Sequence, residues 1–566
     1  MRRIEAFLER LASGMGALLL AALVAALALN VAARTFALPI VGAGTVAQWA
    51  FSILAFVALA SMVRGEGSAV GRIAGPVVAG FAILTLTTGL LAAGERVGGV
   101  EAVLGWPASW RYLAAAAGAG LAGLVGLAGG WRSLLFAAGA GVALLPLPTL
   151  PIAAGIAAFA VAVLCRVPVA LALVASVALS PGALSDAAIA QSIMRGLSPY
   201  VLLAVPLFIL AAALMVAGGI GARIVAAAEW TARRRRSALG EANVLTSLLF
   251  GGVSGSSIAD VALGARLIVP GMVAAGYPPA RAAAITAAAA VLPNVLPPSI
   301  ALLLAAAATD QSVGALWLAG VGAGLVMTAT LWLAVRLTPP RGDPPPSIDA
   351  GEAGAAGRRG IDVLLGLLPP AAIAVAVLAG LRLGLVTAVE AGILAVAGAG
   401  IFAVAERGIG AVAEAFVDAA TQTGRVGLII GASAPVGFLF ATGGIDVASL
   451  LPTGSGPVVL LGAVLVSLLV GTVLDVGAAI LLFLPVLLPP AVAAGIDPIQ
   501  ATLVITVALL LGGLTPPVGM LVLVAKDITG IDGVYRAVIP YLLALLFAAA
   551  ILLLAPGATL GLVRLL

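Results

Sequence analysis

Two aspartates stand inside otherwise apolar sequence, each beside a run of small and hydroxylated residues. The first run reads Gly251-Gly252-Val253-Ser254-Gly255-Ser256-Ser257-Ile258-Ala259-Asp260, and the second Gly471-Thr472-Val473-Leu474-Asp475-Val476-Gly477-Ala478. Each is followed further along the chain by a double proline, in Asn294-Val295-Leu296-Pro297-Pro298-Ser299 and in Gly513-Leu514-Thr515-Pro516-Pro517-Val518-Gly519. The side chains on offer are oxygen donors: Ser254, Ser256, Ser257, Asn294 and Ser299 in the first half, and Thr472, Asp475 and Thr515 in the second. Oxygen-only sets suit hard cations. A broken helix adds carbonyls at one half-helix end, which suit Na⁺, and N–H groups at the other, which suit a carboxylate. An ionised carboxylate in apolar surroundings is costly and points to function. For Asp260 a salt bridge with Arg266 or exposure in a loop is an equal alternative. Asp475 has no neighbouring cation in sequence, so it reads as an ion ligand or a brace for its hairpin. Close packing of small residues is the alternative for Ser254 through Ser257.

Other chemistry is excluded by absence. The chain has no histidine and one cysteine, Cys165. That removes an internal disulfide, a Cys/His metal site, a Ser-His-Asp triad and an HExxH motif. No GxxxxGK[ST] phosphate loop occurs. Nothing in the sequence suggests an enzyme, and no cofactor is expected. Of the 566 residues 63% are hydrophobic and 9% are charged, with a mean hydropathy of +1.24. A soluble domain carries roughly 25% charged residues, so lipid is the solvent here. The net charge of +5 comes from short arginine clusters between apolar runs: Arg2 and Arg3, Arg233 to Arg236, Arg358 and Arg359. These mark cytoplasmic loops and not a nucleic-acid surface.

The elements that must position the oxygen-bearing breaks are membrane helices. Spans are expected near 14–34, 46–63, 74–94, 110–128 and 131–147, with the N-terminus in the cytoplasm. The first of these is long for the core of a signal peptide. A second region opens near residue 151. It holds short spans around Arg166, a longer one at 198–218, an amphipathic basic segment at 219–239, and an interrupted apolar stretch at 243–308. A clean span follows at 313–337. Residues 338–360, with Pro344, Pro345 and Pro346, form a polar linker. Spans follow near 361–381 and 384–404, where Glu390 reads as an interfacial or scaffold residue. A segment at 405–421 is amphipathic and suited to the membrane surface. Then come a span at 425–441, a second interrupted stretch at 451–524 and a last span at 535–555.

Irregular backbone exposed to hydrocarbon costs several kcal/mol per unpaired group, so both breaks must be buried by protein or line a polar cavity. Two matching broken elements in two halves point to an inverted-repeat transporter. Arginine placement puts the first break on the cytoplasmic side and the second on the outer side. The fold class expected is therefore an all-α polytopic membrane protein with two re-entrant helical hairpins and broken helices, its inverted repeats covering about 198–337 and 425–555.

The chain also resembles a known family. Leu203-Ala204-Val205-Pro206-Leu207-Phe208-Ile209-Leu210-Ala211 with Gly218-Gly219-Ile220 resembles the large membrane subunit of tripartite ATP-independent periplasmic (TRAP) transporters. So do Phe250 through Asp260, Gly276-Tyr277-Pro278-Pro279, Leu296-Pro297-Pro298-Ser299-Ile300, Leu474-Asp475, Leu484-Pro485, Leu488-Pro489, Gly495-Ile496-Asp497-Pro498 and Leu514-Thr515-Pro516-Pro517-Val518-Gly519. The resemblance covers 151–566. Residues 1–130 look like the four-helix small membrane subunit fused in front, with 131–150 as a connecting helix. The resemblance implies an elevator-type permease in a bacterial inner membrane. It would import an organic anion, a carboxylate, with Na⁺, after delivery by an extracytoplasmic binding protein. A standalone Na⁺/anion elevator symporter is the alternative. Carried over by position, one Na⁺ site falls on Ser254, Gly255, Ser256, Asn294 and Pro297, and the other on Gly471, Asp475, Thr515 and Pro516. Substrate falls between the hairpin tips, with Ser257, Asp260, Ser299 and Thr472 as candidates. Some positions depart from the family pattern: Ala289-Ala290-Val291 replaces Ser-Ser-Thr, Pro293-Asn294 replaces Gly-Pro, Val476-Gly477 replaces Pro-Thr, and Leu521 replaces Asn. Side-chain oxygens are lost there, and backbone carbonyls remain.

Overall fold

A computed structural model describes residues 2–35, 42–58, 167–178, 186–220, 238–251, 257–339, 368–442, 451–516 and 518–565, with scattered positions between 83 and 162 and Arg223. Among the described residues all regular structure is helical. Among the described residues six helical segments are long and apolar enough to cross a membrane: Arg10–Ala33, Tyr200–Ala217, Val313–Leu337, Ala388–Arg407, Val476–Ala493 and Val534–Leu554. The protein is a multi-pass membrane protein. The chain divides into two compact units, one of Met1–Leu210 with Ala413–Asp446 and the other of Ala211–Val412 with Val447–Leu566.

In the first unit lie α1 (Arg2–Thr35), α2 (Ala43–Val57), α3 (Val169–Ala178), α4 (Asp186–Gly196) and the start of α5 (Ala204–Ala217). α1 begins well before the expected span, because Ile4, Phe7, Leu8 and Leu11 continue its helical run. It packs on α2; Leu20, Leu23 and Leu27 of α1 and Phe51, Leu54 and Phe56 of α2 are buried.

The second unit carries both interrupted stretches. The first comprises α6 (Ala238–Gly251), α7 (Ser257–Leu267), α8 (Val269–Ala274), α9 (Pro279–Ala289) and α10 (Ile300–Thr309), followed by the full span α11 (Val313–Leu337). Next come α12 (Leu368–Arg382) and α13 (Ala388–Arg407), then α14 (Ile409–Thr442), most of which belongs to the first unit. The second stretch comprises α15 (Gly456–Gly471), α16 (Val476–Ala493), α17 (Pro498–Gly512) and α18 (Met520–Thr529), followed by α19 (Val534–Leu554) and α20 (Pro556–Leu565). At 1.5 Å per residue, helices of 10 or 11 residues reach about 15 Å, half of a hydrocarbon core. They are half-helices, as the breaks require.

The two stretches repeat one plan: hairpin arm, break, returning arm, buried half-helix, break, half-helix, full span. Packing follows the same plan in both directions. α7 packs on α18 and, reciprocally, α16 packs on α10. α9 packs on α19 while α17 packs on α11, and α11 packs on α19. Exchanging the repeats maps each pair onto another, which is the mark of a two-fold relation between them. α9 and α17 are buried almost all round, from Ala282 to Ala289 and from Gln500 to Gly512.

The amphipathic segment 405–421 is not a separate surface helix. From Ile409 onward it runs unbroken into the span beyond it, as α14, because no glycine or proline interrupts the helix between Gly410 and Gly424. Glu390 caps its own helix: its carboxylate accepts from Thr387 N at 2.7 Å while Thr387 Oγ1 accepts from Glu390 N, a capping box that opens α13.

Candidate functional site

The first hairpin is α6 and α7. Its tip, with Ser254, Gly255 and Ser256, lies outside the described residues. Ser257 is the first residue of α7 and is buried. Asn294 Nδ2 donates to Ser257 Oγ at 2.6 Å, which ties the hairpin to the break between α9 and α10. Pro297 and Pro298 supply no N–H, so the helical ladder stops there, and the peptide between them is cis. α10 restarts at Ser299, whose Oγ accepts from Leu302 N at 3.1 Å and donates to the Asn294 carbonyl. Ser299 is thereby a buried brace, and Trp317 Nε1 donates to its carbonyl at 3.3 Å. α11 approaches the break closely: a Cβ at Gly320 would collide with the Val295 carbonyl. Among the described residues the carbonyls of 295–298 accept no backbone hydrogen bond.

The second hairpin is α15 and α16. α15 ends in a tight turn, with Thr472 N on Leu469 O at 3.2 Å, and Val473 N and Leu474 N both on Val470 O. Thr472 is buried and its hydroxyl donates to Leu469 O at 2.8 Å. Asp475 opens α16: its Oδ2 accepts from Gly477 N at 3.0 Å, an N-cap. The second break begins where α17 ends. Thr515 N bonds Gly512 O at 2.8 Å, Thr515 Oγ1 donates to Leu511 O at 3.0 Å, and Pro516 is exposed. Hairpin and break meet backbone to backbone. A Cβ on Gly471 would strike the Leu509 carbonyl, and one on Gly512 would lie 2.5 Å from Gly471. Among the described residues neither the carbonyls of 471–474 nor those of 514–516 accept a backbone hydrogen bond.

Each half therefore brings its hairpin against its own break, joined by Ser257 and Asn294 in one and by Gly471 and Gly512 in the other. Runs of backbone carbonyls without a backbone donor are left beside them. Asp260 sits elsewhere, about one turn inside the hairpin. It lines a narrow cleft between the arms with Asn243, Thr246 and Ser247 of α6 and Gly264 of α7. No salt bridge joins it to Arg266 among the described residues. Nor do these contain a group of three His, Cys, Asp or Glu side chains able to hold a metal ion.

The sequence profile described as "Tripartite ATP-independent periplasmic transporter, DctM component" matches residues 156–558. The chain belongs to the DctM family. It is a transport protein and not an enzyme, as its DctM relatives are. One relative is the 2,3-diketo-L-gulonate TRAP transporter large permease of Escherichia coli, 30% identical over 63% of this chain and 85% of that protein. Another is the C4-dicarboxylate TRAP transporter large permease of Pseudomonas aeruginosa, 32% identical over 64% of this chain and 86% of that one. A crystal structure of the Alcanivorax borkumensis YdaH transporter overlays with a TM-score of 0.42 at 17% identity, over 66% of this chain and 88% of that one, too slight a likeness to carry an argument. The DctM match contains both hairpins and both breaks. Residues before 156 lie outside it.

Sequence reasoning located both breaks and their oxygens. It missed Asn243, Thr246, Ser247, Trp317 and Gly320. A polar triplet inside the apolar run of α6 was the available signal for the first three. Trp317 and Gly320 carry no signal until α11 is seen against the break.

Proposed function

We propose that the chain is the fused membrane component of a TRAP transporter in a bacterial inner membrane, with its N-terminus in the cytoplasm. It imports an organic anion, a carboxylate, together with Na⁺, after delivery by an extracytoplasmic binding protein. The observation that carries this reading is the meeting of hairpin and break in each repeat, with carbonyl runs at 295–298, 471–474 and 514–516 beside it. Such carbonyls replace the hydration shell of a small cation without help from the hydroxyls missing at Ala289, Ala290 and Val291. One cation site takes Ser254, Gly255, Ser256, Asn294 and Pro297, and the other takes Gly471, Asp475, Thr515 and Pro516. Bound cations would offset the charge of an anion near Ser257 and Thr472. The names of the DctM relatives, a diketo-gulonate and a C4-dicarboxylate permease, support an organic acid as cargo.

The reciprocal packing of α7 on α18 and α16 on α10 supports movement of both hairpins as one body, which an elevator needs. Fusion to a small subunit is supported by the first unit, where α1 and α2 pack on α14. The experiment is uptake into proteoliposomes under an inward Na⁺ gradient, with a binding protein outside loaded with candidate carboxylates. Accumulation that needs both Na⁺ and the binding protein is expected. Accumulation without the binding protein would replace this reading by the standalone symporter, and uptake driven only by a proton gradient would remove Na⁺ from it.

A further inference from the structure

A backbone hydrogen bond from Leu521 N to Gly513 O at 3.0 Å bridges the second break and closes 514–520 into a loop between α17 and α18. Pro516 and Pro517 carry no N–H, and among the described residues the carbonyls of 514–516 and of 518 accept no backbone hydrogen bond. The Val518 carbonyl is supplied from outside the loop, where the Tyr535 hydroxyl donates to it at 2.6 Å. Tyr535 lies in the first turn of α19, and Cε1 of its ring would stand 3.4 Å from a Cβ on Gly519, so the ring also lies against the loop backbone. Gly519 has a φ of +53°, the left-handed conformation from which α18 starts. The first break has a matching contact, made by Trp317 of the following span to the Ser299 carbonyl. Ser299 and Val518 each come directly after the double proline, and their aromatic donors lie 18 and 17 residues further on. The two contacts differ in one respect. The Ser299 carbonyl also accepts from Leu303 N at 3.1 Å, whereas the Val518 carbonyl has no such backbone donor among the described residues.

We infer that Tyr535 is a positioning residue for transport: its hydroxyl holds the Val518 carbonyl toward α19 and so fixes the loop that presents the carbonyls of 514–516. A loop that an ion must first order binds that ion more weakly, by the entropy of ordering it. The prolines lock φ at 516 and 517, while ψ and the residues on either side need an external tie. Tyr535 supplies the tie from a helix of 21 residues, which is stiff on the scale of the loop. A phenol suits the task, because it donates a hydrogen bond without bringing a positive charge beside a cation. The effect on ion binding rests on the carbonyl site proposed above, and the effect on the loop does not.

The test compares wild type, Tyr535→Phe and Asp532→Asn as purified full chains. Tyr535→Phe keeps the ring and removes the donor. Asp532→Asn removes a different tie, the exposed pair of Lys526 and Asp532 at 2.8 Å that joins α18 to the turn before α19. Amide hydrogen exchange over 513–523 is measured without Na⁺, and equilibrium binding of radioactive Na⁺ is measured on the same preparations. Tyr535→Phe should exchange about three- to tenfold faster over 513–523 and need about three- to tenfold more Na⁺ for half-saturation, the weight of one net hydrogen bond. Its melting temperature in choline chloride should stay near the wild-type value, which separates a displaced loop from a general loss of stability. Asp532→Asn should match wild type in all three. Exchange in Tyr535→Phe equal to wild type would overturn the inference. So would an equal acceleration in Asp532→Asn, which would trace the effect to loosening of α18 as a whole. Faster exchange with unchanged Na⁺ affinity would reduce Tyr535 to a structural clip and overturn its role in transport. If wild type binds no Na⁺, the cation reading fails and the exchange rates alone decide whether Tyr535 holds the loop.

Discussion

At the scale of single residues, Asp475 has two roles that can be separated. It caps α16 through Gly477 N, and it stands beside the carbonyls of 471–474. Asp475→Ala removes the acceptor and should cost about 1 kcal/mol through loss of the cap. Asp475→Asn keeps an acceptor and removes the charge. We expect the Asn variant to melt within about 0.5 kcal/mol of wild type, given how similarly Asn and Asp cap helices. Its Na⁺ requirement for uptake should rise, and the Ala variant should lose both stability and Na⁺ affinity. A wild-type Na⁺ dependence in Asp475→Asn would leave the residue as a cap alone. In the first half Asn294 holds the hairpin to the break. Asn294→Ala strands the buried Ser257 hydroxyl and should destabilise by about 1–3 kcal/mol. A melting temperature equal to wild type would show that Ser257 finds another partner.

At the scale of elements, the helices around the breaks are shaped by what passes close to them. α15 and α17 cross with backbone in contact at Gly471 and Gly512. Without a hydrophobic drive inside lipid, such small-residue crossings supply the packing that holds a hairpin to its neighbour. A methyl group at Gly512 meets main-chain atoms of Gly471 and Leu468, which no rotamer change can move aside. Gly512→Ala should therefore cost about 1–3 kcal/mol and part the hairpin from its break. Its expected signature is reduced uptake with a normal yield from the membrane at low temperature. Unchanged uptake would mean that the second hairpin is not held through this crossing.

At the scale of the whole molecule, the N-terminal helices are built into the first unit. A Cβ at Gly424 on α14 would overlap Ala58, and one at Gly427 would touch Ala55 and Phe51. If this region is a fused small subunit, the covalent link should be dispensable. Two polypeptides cut between residues 131 and 150, expressed together, should co-purify and restore uptake. Gly424→Leu, which drives a large side chain into α2, should abolish that co-purification by overpacking. Survival of the complex in the Leu variant would place the docking surface elsewhere.

The sequence by itself determined the class of solvent, the helical fold, the two breaks and the oxygens nearest them. Those properties follow from local chemistry: apolar runs long enough for a bilayer, prolines without N–H groups, and aspartates where charge is expensive. The family signature is equally local, since it lies in short motifs such as Leu296-Pro297-Pro298-Ser299. The continuity of α14 was misjudged because charged residues near its start imitate the end of a span, while a helix is ended by backbone geometry. Tertiary structure decided what no single segment contains. Ser257 meets Asn294 across 37 residues of sequence, Gly471 meets Gly512, and α7 finds its partner in the other repeat. The cleft of Asn243, Thr246, Ser247 and Asp260 exists only once the two arms lie side by side. Thr246 reads as an ordinary helix residue until its hydroxyl is seen to be buried without a hydrogen-bond partner, as those of Thr423 and Thr502 are. Whether a polar atom is satisfied depends on every neighbour in three dimensions, and one-dimensional spacing cannot carry that information.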